Sequence, residues 1–299
     1  HFGSSAGLGR AICRTLARAL AGRLVAAMLR RLAHSCLPHA RGRGGATPLR
    51  GAASSASLRA AAAPTPEGWA AQWAAVEAAR RGRTAPVDRF GPEALARRLP
   101  GDGADFRFRV LVALVLNAQT TDSQTASAME SLAHGGLTAK RLARLPTAQI
   151  SDFIHGVSFP GKKADYLQKC AAACLERYGG DVPETLADAR ALPGVGPKAA
   201  NLLLQVAWGR VEGIAVDTHV HRVSNRLGWA RAASATQTQR QLESWLPRDR
   251  WREVNPLLVG FGQERCTAEA PRCKGCPLRS LCPRIGLDAP RDGERTRKG

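Results

Sequence analysis

A lysine and an aspartate 19 residues apart are the residues of this chain best suited to chemistry. Lys198 ends the sequence LPGVGPK, and Asp217 lies in the sequence VDTH. A lysine amine can act as a nucleophile, and a carboxylate beside it can stabilise positive charge or accept a proton. Gly194 and Gly196 can adopt positive φ and leave backbone N–H groups uncovered for a phosphate. Together they predict an enzyme that holds a nucleic-acid backbone and uses an amine as its nucleophile.

Two helices must position the lysine. Pro197 suits the first turn of a helix, and a second helix is predicted from Pro183 to Leu192. A glycine turn between two helices presents free N–H groups and a positive dipole end to an anion. The alternatives are a tight turn that serves packing alone and a solvated or phosphate-binding Lys198. The residues expected on the apolar face after the turn are Ala200, Leu203, Leu204 and Ala207.

A third helix is predicted directly after Asp217, with Val220 and Val223 on its apolar face. The alternative role for Asp217 is that of N-cap, which is compatible with a side chain that also faces a cleft. His219 and His221 have no further ligand at metal-site spacing, so we expect polar surface or phosphate contacts.

Four cysteines near the C-terminus have the spacing Cys-x6-Cys-x2-Cys-x5-Cys. One short pair with longer arms fits a [4Fe–4S] cluster at least as well as a structural zinc site. Disulfides are a third alternative, which the nucleic-acid character of the chain disfavours. Cys170 and Cys174 are predicted to lie in a helical core. The four candidate ligands are Cys266, Cys273, Cys276 and Cys282.

The net charge of +20 predicts a polyanionic partner with salt-dependent binding. Half of the excess lies in residues 1–66, which are rich in arginine and lack acidic residues. This pattern is typical of a mitochondrial transit peptide, and a disordered basic extension is the alternative. Arg80–Arg83 is a weak nuclear-localisation signal, and a solvated face is the favoured interpretation of this basic run. We expect residence in the nucleus and mitochondrion, and no membrane span, since the apolar run 20–29 is too short.

Several motifs in one order make the chain similar to the endonuclease III family of DNA glycosylase/AP lyases, above all its eukaryotic branch. Besides the hairpin, the lysine, VDTH and the cysteine spacing, it contains APVD at 85–88, LNAQTTD at 116–122 and LLVGFG at 257–262. The resemblance runs from about residue 64 to residue 283. It implies an all-α, two-domain helix-hairpin-helix glycosylase fold with a [4Fe–4S] cluster loop and DNA in the cleft between the domains.

The resemblance also implies roles for individual residues. Lys198 matches the nucleophile and Asp217 the essential carboxylate, while Gln119 and Phe159 match positions that fill the gap left by a flipped nucleotide. Asn117 replaces a usual serine, and Ser158 stands where glycine is common, so both bear on the choice of lesion. The hairpin residues expected to bind DNA are Gly194, Val195 and Gly196, and the four C-terminal cysteines match the cluster ligands.

The absence of alternating strand patterns and the repeated helical stripes support the all-α prediction independently. We expect a targeting segment at 1–66, an N-terminal part of the cluster domain at 67–108, a six-helix domain at 109–213, a C-terminal part of the cluster domain at 214–283 and a tail at 284–299.

The implied function is a bifunctional glycosylase/lyase that removes oxidised pyrimidines through a lysine Schiff base and β-elimination. Its partner would be double-stranded DNA with a damaged pyrimidine or an abasic site, bound by a monomer. The alternatives are a monofunctional glycosylase, a non-catalytic module that binds damaged DNA, and a zinc-dependent nucleic-acid binder.

Overall fold

The computed structural model describes residues 64–101 and 103–287. Residues 1–63 of the expected targeting segment, which include Cys13 and Cys36, and residues 288–299 of the predicted tail lie outside these residues. Within them the chain forms α-helices, one short 3-10 helix and no β-strand. None of these helices is both long and apolar enough to cross a membrane.

The helices follow one another with short connections. In chain order they are α1 (Trp69–Ala79), α2 (Pro86–Phe90), α3 (Pro92–Arg97), α4 (Ala104–Asn117), α5 (Asp122–Ala133), α6 (Ala139–Leu142), α7 (Thr147–Phe153), α8 (Pro160–Arg177), α9 (Leu186–Ala191), α10 (Pro197–Ala207), α11 (Thr218–Arg226), α12 (Ala235–Trp245), the 3-10 helix Arg248–Arg250 and α13 (Trp251–Glu264).

The first hydrophobic core is built around α4. Every residue from Phe108 to Leu116 is buried, so this helix is enclosed on all sides rather than along one stripe. Helices α3, α5, α8 and α10 pack against it. Arg109, the one charged residue in this run, donates hydrogen bonds to the carbonyls of Pro100 and Gly101. Cys170 and Cys174 lie fully buried in this core, which confirms that prediction.

The second core combines the two ends of the described chain. Trp73 and Val76 of α1 pack with residues of the segment 214–278. Trp73 stacks on Trp229 with ring centroids 5.8 Å apart. Gln72 of α1 donates a hydrogen bond to the carbonyl of Leu281 at 2.8 Å. This bond joins α1 to the C-terminal part of the described residues.

The domain boundaries at residues 108 and 213 stay a prediction. Near the boundary at 108, the first core also includes residues that precede it. Leu95 and Ala96 precede residue 108, yet both are buried in the first core because α3 packs along α4.

Arg80 lies in the interior, although a solvated face was the favoured interpretation of the basic run 80–83. Its side chain is 1% exposed and forms ion pairs with Asp88 at 2.5 Å and Glu264 at 3.1 Å. Because these partners belong to α2 and α13, the arginine joins α1 to both helices. The expectation of a fully solvated cluster is therefore wrong at Arg80, whereas Arg81 and Arg83 are exposed.

Candidate active site and nucleic-acid interface

One cleft of about 1,200 Å³ contains the predicted reactive residues. Lys198 enters it from the start of α10 and Asp217 from the start of α11, while Gln119 enters from the loop after α4. Pro86 and Val87 of α2 line another wall. Residues from both cores therefore surround the same space.

Lys198 is the second residue of α10, directly after Pro197. Its side chain is half-buried, and no described residue forms a hydrogen bond or ion pair with its amine. Of the expected apolar face of α10, Ala200, Leu203 and Leu204 are fully buried, and Ala207 is half-buried against the same core. The helix is thus anchored by its inner face and presents the amine to the cleft.

Asp217 caps α11, as the pattern predicted. Its Oδ1 accepts a hydrogen bond from the backbone N–H of Val220 at 2.8 Å. Its other carboxylate oxygen has no partner among the described residues. The segment before it is held by Asn255 of α13, which donates to the carbonyl of Ala215 at 2.9 Å. The cap therefore fixes one oxygen and leaves the second for the cleft.

His219 lies half-buried in this cleft rather than on an open surface. Burial lowers its pKa, an effect that Asp217 opposes and Arg222 reinforces. The guanidinium Nη2 of Arg222 lies 3.1 Å from the imidazole Nδ1 and donates to it. The neutral ring then carries its proton on Nε2. Sequence reasoning underrated this residue because a lone histidine pattern does not reveal burial.

The glycine hairpin has the expected helix on each side, but α9 begins at Leu186 and not near Pro183. Thr185 is responsible, because its side chain accepts a hydrogen bond from the N–H of Asp188 at 3.1 Å and so starts the helix there. The hairpin itself spans residues 192–196.

Only one of the two hairpin glycines has positive φ. Gly194 has φ +78°, and a Cβ at that position would lie 2.5 Å from the ring of Tyr166. Gly196 has φ −83°, which any residue can adopt. The Val195 side chain is buried, and its N–H bonds to the carbonyl of Leu192 at 3.2 Å. Within the hairpin, the backbone N–H groups of Gly194 and Gly196 have no partner among the described residues.

Gln119 and Phe159 lie on adjacent loops with the same unusual backbone. Their φ angles are 54° and 56°, in the left-handed region that non-glycine residues rarely occupy. The two loops are in contact, since Ser158 Oγ donates to the carbonyl of Gln119 at 2.6 Å. Phe159 is 64% exposed, the most of any large apolar side chain in the described residues. An exposed aromatic residue on a constrained loop suits insertion into another molecule.

Asn117 belongs to a line of hydrogen bonds that crosses between the two cores. Its Nδ2 donates to Asp122 Oδ1 at 3.2 Å, and Asp122 Oδ2 accepts from Gln263 Nε2 at 2.9 Å. Gln263 Oε1 in turn accepts from the N–H of Val87 at 3.0 Å. The asparagine therefore helps to join α4, α5 and α13 at the cleft.

The four C-terminal cysteines line one small cavity, together with Arg226 and Leu278. Each is half-buried and free, and no disulfide joins any of the six described cysteines. Arg226 donates to Cys266 Sγ at 3.3 Å and to the carbonyl of Thr267 at 2.6 Å. A guanidinium that donates to sulfur suits a thiolate ligand. No group of three or more His, Cys, Asp and Glu side chains in the described residues is arranged to hold a metal ion.

Comparison with known proteins gives consistent matches. The HhH-GPD superfamily of base excision DNA repair proteins matches residues 112–248. Endonuclease III-like protein 1 of Bos taurus is 44% identical over 220 residues, which cover 73% of this chain and 72% of that protein. The chain belongs to the endonuclease III family of DNA glycosylase/AP lyases.

Two solved structures extend this similarity to the endonuclease III fold. A non-covalent endonuclease III–DNA complex is 30% identical with a TM-score of 0.62, covering 73% of this chain and 96% of the other. A trapped endonuclease III–DNA covalent intermediate is 32% identical with a TM-score of 0.57, covering 66% and 94%. The all-α helix-hairpin-helix glycosylase fold predicted from the sequence is confirmed.

One buried side chain of this endonuclease III family member had escaped sequence reasoning. Lys163 of α8 is 5% exposed, and its ammonium lies under the loop that carries Gln119. A signal for it exists in the sequence. Lys163 shares a helical face with Leu167, Cys170 and Cys174, and a lysine on an apolar face predicts a buried amine with specific partners.

Proposed function

We propose that Lys198 is the nucleophile of a bifunctional reaction that removes oxidised pyrimidines from double-stranded DNA and then cleaves the strand. The observation that carries the proposal is the cleft shared by Lys198 and Asp217, where the amine and one carboxylate oxygen have no partner in the described chain. Two reactive groups on separate helices, both directed to one open space, suit a substrate placed between them.

In the first step the damaged nucleotide rotates out of the duplex, because its sugar is inaccessible within the stack. The neutral amine of Lys198 attacks C1′ while the glycosidic bond breaks and its electron pair leaves with the base. Asp217 stabilises the positive charge that develops on the sugar and assists loss of a proton from the attacking nitrogen.

In the second step the sugar ring opens and Lys198 forms a Schiff base with C1′. Loss of a C2′ proton sends an electron pair toward C3′ and expels the 3′ phosphate, which breaks the strand by β-elimination. Hydrolysis of the imine then returns the free amine. These two reaction steps require a single amine and no metal ion at the sugar.

The remaining predicted residues bind the DNA around that sugar. The free N–H groups of Gly194 and Gly196 would hold backbone phosphates, and Val195 would act through the shape of the hairpin. Gln119 and Phe159 would fill the space that the flipped nucleotide leaves. Their paired loops and the exposure of Phe159 support this role.

Cys266, Cys273, Cys276 and Cys282 fit a [4Fe–4S] cluster as free thiols around one cavity, with a cation beside Cys266. When bound, the cluster would stabilise the C-terminal loop and hold it against the DNA backbone. Purified protein should be brown with broad visible absorption and should contain iron. A colourless, fully active protein that contains zinc would contradict the cluster.

We further propose that the protein acts as a monomer in the mitochondrion and nucleus. The arginine-rich, acid-free segment 1–66 supports mitochondrial import, and the eukaryotic relatives support work on cellular DNA. Two plant relatives are named as chloroplastic, so organelle forms occur among the relatives. Imaging of the full chain fused to a fluorescent protein would test both locations.

The decisive experiment is borohydride trapping on a duplex that carries thymine glycol or an abasic site. The wild-type protein should become covalently attached to DNA, and Lys198→Gln should not, while its affinity for the duplex stays close to that of the wild type. Lys169→Gln is the matched control, because Lys169 is an exposed lysine paired with Asp165 far along α8.

Other outcomes separate the alternatives. Base release without trapping would indicate a monofunctional glycosylase, and binding without either reaction would indicate a non-catalytic module. Trapping that survives in Lys198→Gln would assign the nucleophile to another amine.

A further inference from the structure

Lys163, Thr120 and Ser158 join the loop of Gln119 to the loop of Phe159. We propose that Lys163 is a positioning residue that, through this linkage, holds Gln119 and Phe159 as one rigid unit for entry into DNA. The inference rests on the gap-filling role proposed above for these two side chains.

The ammonium of Lys163 donates to three acceptors between residues 116 and 120, two backbone carbonyls and one side-chain hydroxyl. Its Nζ donates to the carbonyls of Leu116 and Ala118, each at 2.7 Å, and to Thr120 Oγ1 at 2.6 Å. These carbonyls lie at the C-terminal end of α4, where helical partners are missing and the dipole is negative. A cation there both closes the helix and fixes the course of the chain into Gln119.

The second loop is attached to the same hydroxyl. Thr120 Oγ1 also accepts a hydrogen bond from the N–H of Ser158 at 3.2 Å, and Ser158 Oγ donates to the carbonyl of Gln119 at 2.6 Å. Ser158 directly precedes Phe159 in the chain. A displacement of either loop would therefore break the hydrogen bonds that join it to the other loop.

The backbone of the pair explains why such a linkage is needed. Four non-glycine residues of the described chain have positive φ, and Gln119 and Phe159 are two of them. This conformation is unfavourable for residues with a Cβ and persists where surrounding contacts determine it. The hydrogen bonds of Lys163, Thr120 and Ser158 are contacts of that kind.

The chemistry of Lys163 argues against a simple packing role. Burial lowers its pKa to about 8, so the protein bears a cost for keeping a charge at this place. A methionine would fill similar space without that cost. What the lysine adds is a set of directed hydrogen bonds to the loop beside the cleft.

The test uses the full chain and a duplex that carries a stable tetrahydrofuran abasic analogue opposite 2-aminopurine. The fluorescence of 2-aminopurine reports whether protein side chains enter the gap, and anisotropy reports affinity for the same duplex. The variants are Lys163→Met, Lys163→Arg and Ser158→Gly. Lys169→Met is the matched control, because it removes an exposed lysine from the same helix.

We expect Lys163→Met to lose most of the 2-aminopurine signal. Its single-turnover base release from a thymine glycol duplex should slow by between roughly 10-fold and 100-fold, the range for misplaced contacts near a reaction. Strand cleavage at a preformed abasic site should fall far less, since no base needs to be expelled. Lys163→Arg should recover part of the signal, Ser158→Gly should lose a smaller part, and Lys169→Met should match the wild type.

A folded Lys163→Met protein with the full signal and normal base release would overturn the inference. If that variant does not fold, Ser158→Gly decides, because it removes the side chain whose hydroxyl links Ser158 to Gln119 and leaves Lys163 in place. An unchanged signal in Ser158→Gly would then contradict the linkage. A wild-type signal that persists in Gln119→Ala/Phe159→Ala would instead refute the gap-filling role itself.

Discussion

The proposed reaction pair, Lys198 and Asp217, lines the cleft together with Gln119 of the proposed gap-filling pair. The two pairs are positioned by different kinds of contact. Lys198 and Asp217 both stand at the start of a helix, where Pro197 and the cap made by Asp217 itself set the local backbone. Gln119 and Phe159 lie in loops where their own backbone φ is positive. These loops are held by hydrogen bonds from residues distant in the chain, such as the bond from Lys163 to Thr120. Loss of a distant hydrogen bond should therefore disturb the gap-filling pair more than the reaction pair.

The largest effect on the rate of base release is expected at Asp217, because this side chain both caps α11 and takes part in the proposed chemistry. Asp217→Asn should slow base release by roughly 10²–10⁴-fold, since it removes the charge that assists proton transfer. Its helix should remain capped, because asparagine is as good an N-cap as aspartate. Single-turnover kinetics and thermal unfolding measure the two effects.

Asp217→Ala is the matched comparison. It should lose the same activity and, in addition, about 1 kcal/mol of stability, because the N–H of Val220 loses its acceptor. A wild-type rate in Asp217→Asn would leave Asp217 with the capping role alone.

The ion pairs of Arg80 contact neither the proposed reaction pair nor the proposed gap-filling pair. Their loss should therefore lower stability and leave activity intact. Arg80→Met removes a buried cation from Asp88 and Glu264 and should lower the free energy of unfolding by about 3–5 kcal/mol. Chemical denaturation measures this loss. Borohydride trapping of the remaining folded protein at 25 °C should be retained, whereas Arg81→Met, at an exposed position, should leave stability nearly unchanged. A protein of normal stability would show that the ion pairs contribute little.

The two hairpin glycines separate a local requirement from a tertiary one. Gly194→Ala adds a Cβ against Tyr166 at positive φ, so it should cost about 1–2 kcal/mol and weaken DNA binding. Gly196→Ala places its Cβ in open space at an ordinary φ and should cost little stability. Equal losses of stability in the two variants would contradict the role of the Tyr166 contact.

The smallest effect is a pH dependence confined to the gap-filling pair. Below a pKa of about 8 Lys163 keeps three donors, and above it one proton is lost, so the 2-aminopurine signal should decline as pH rises from about 7 to about 9. The partners of Lys163 are two carbonyls and a hydroxyl, which do not titrate in this range. A decline of equal size in Lys163→Arg would assign the effect to another group.

That decline would not reflect a weaker contribution of Lys163 to the fold. An unfolded lysine keeps its proton up to about 10.5, whereas the folded one releases it near 8. The contribution of Lys163 to the free energy of unfolding therefore rises with pH across this window. Circular dichroism at each pH checks that the protein remains folded.

Most of the fold could be predicted from the sequence, and the errors have physical causes. The roles of the candidate residues stay predictions. Apolar stripes predicted the buried faces of α10 and α11, and the aspartate pattern predicted the cap at Asp217. The helix predicted from Pro183 begins instead at Leu186, because Thr185 rather than Pro183 caps it. The basic run 80–83 favours a surface position for Arg80, because the pattern does not reveal its partners, which lie 8 and 184 residues away in the chain.

The sequence by itself determined which residues could react, because the amine, the carboxylate and the thiols are recognisable from their types and spacing. It also determined the helix starts that hold Lys198 and Asp217, because proline and a capping aspartate act on their immediate neighbours. Only the tertiary structure decided that Lys163 is buried and that the loops of Gln119 and Phe159 are fastened to each other. Those contacts join residues some 40 positions apart, and their geometry exists only once α4 and α8 have packed together.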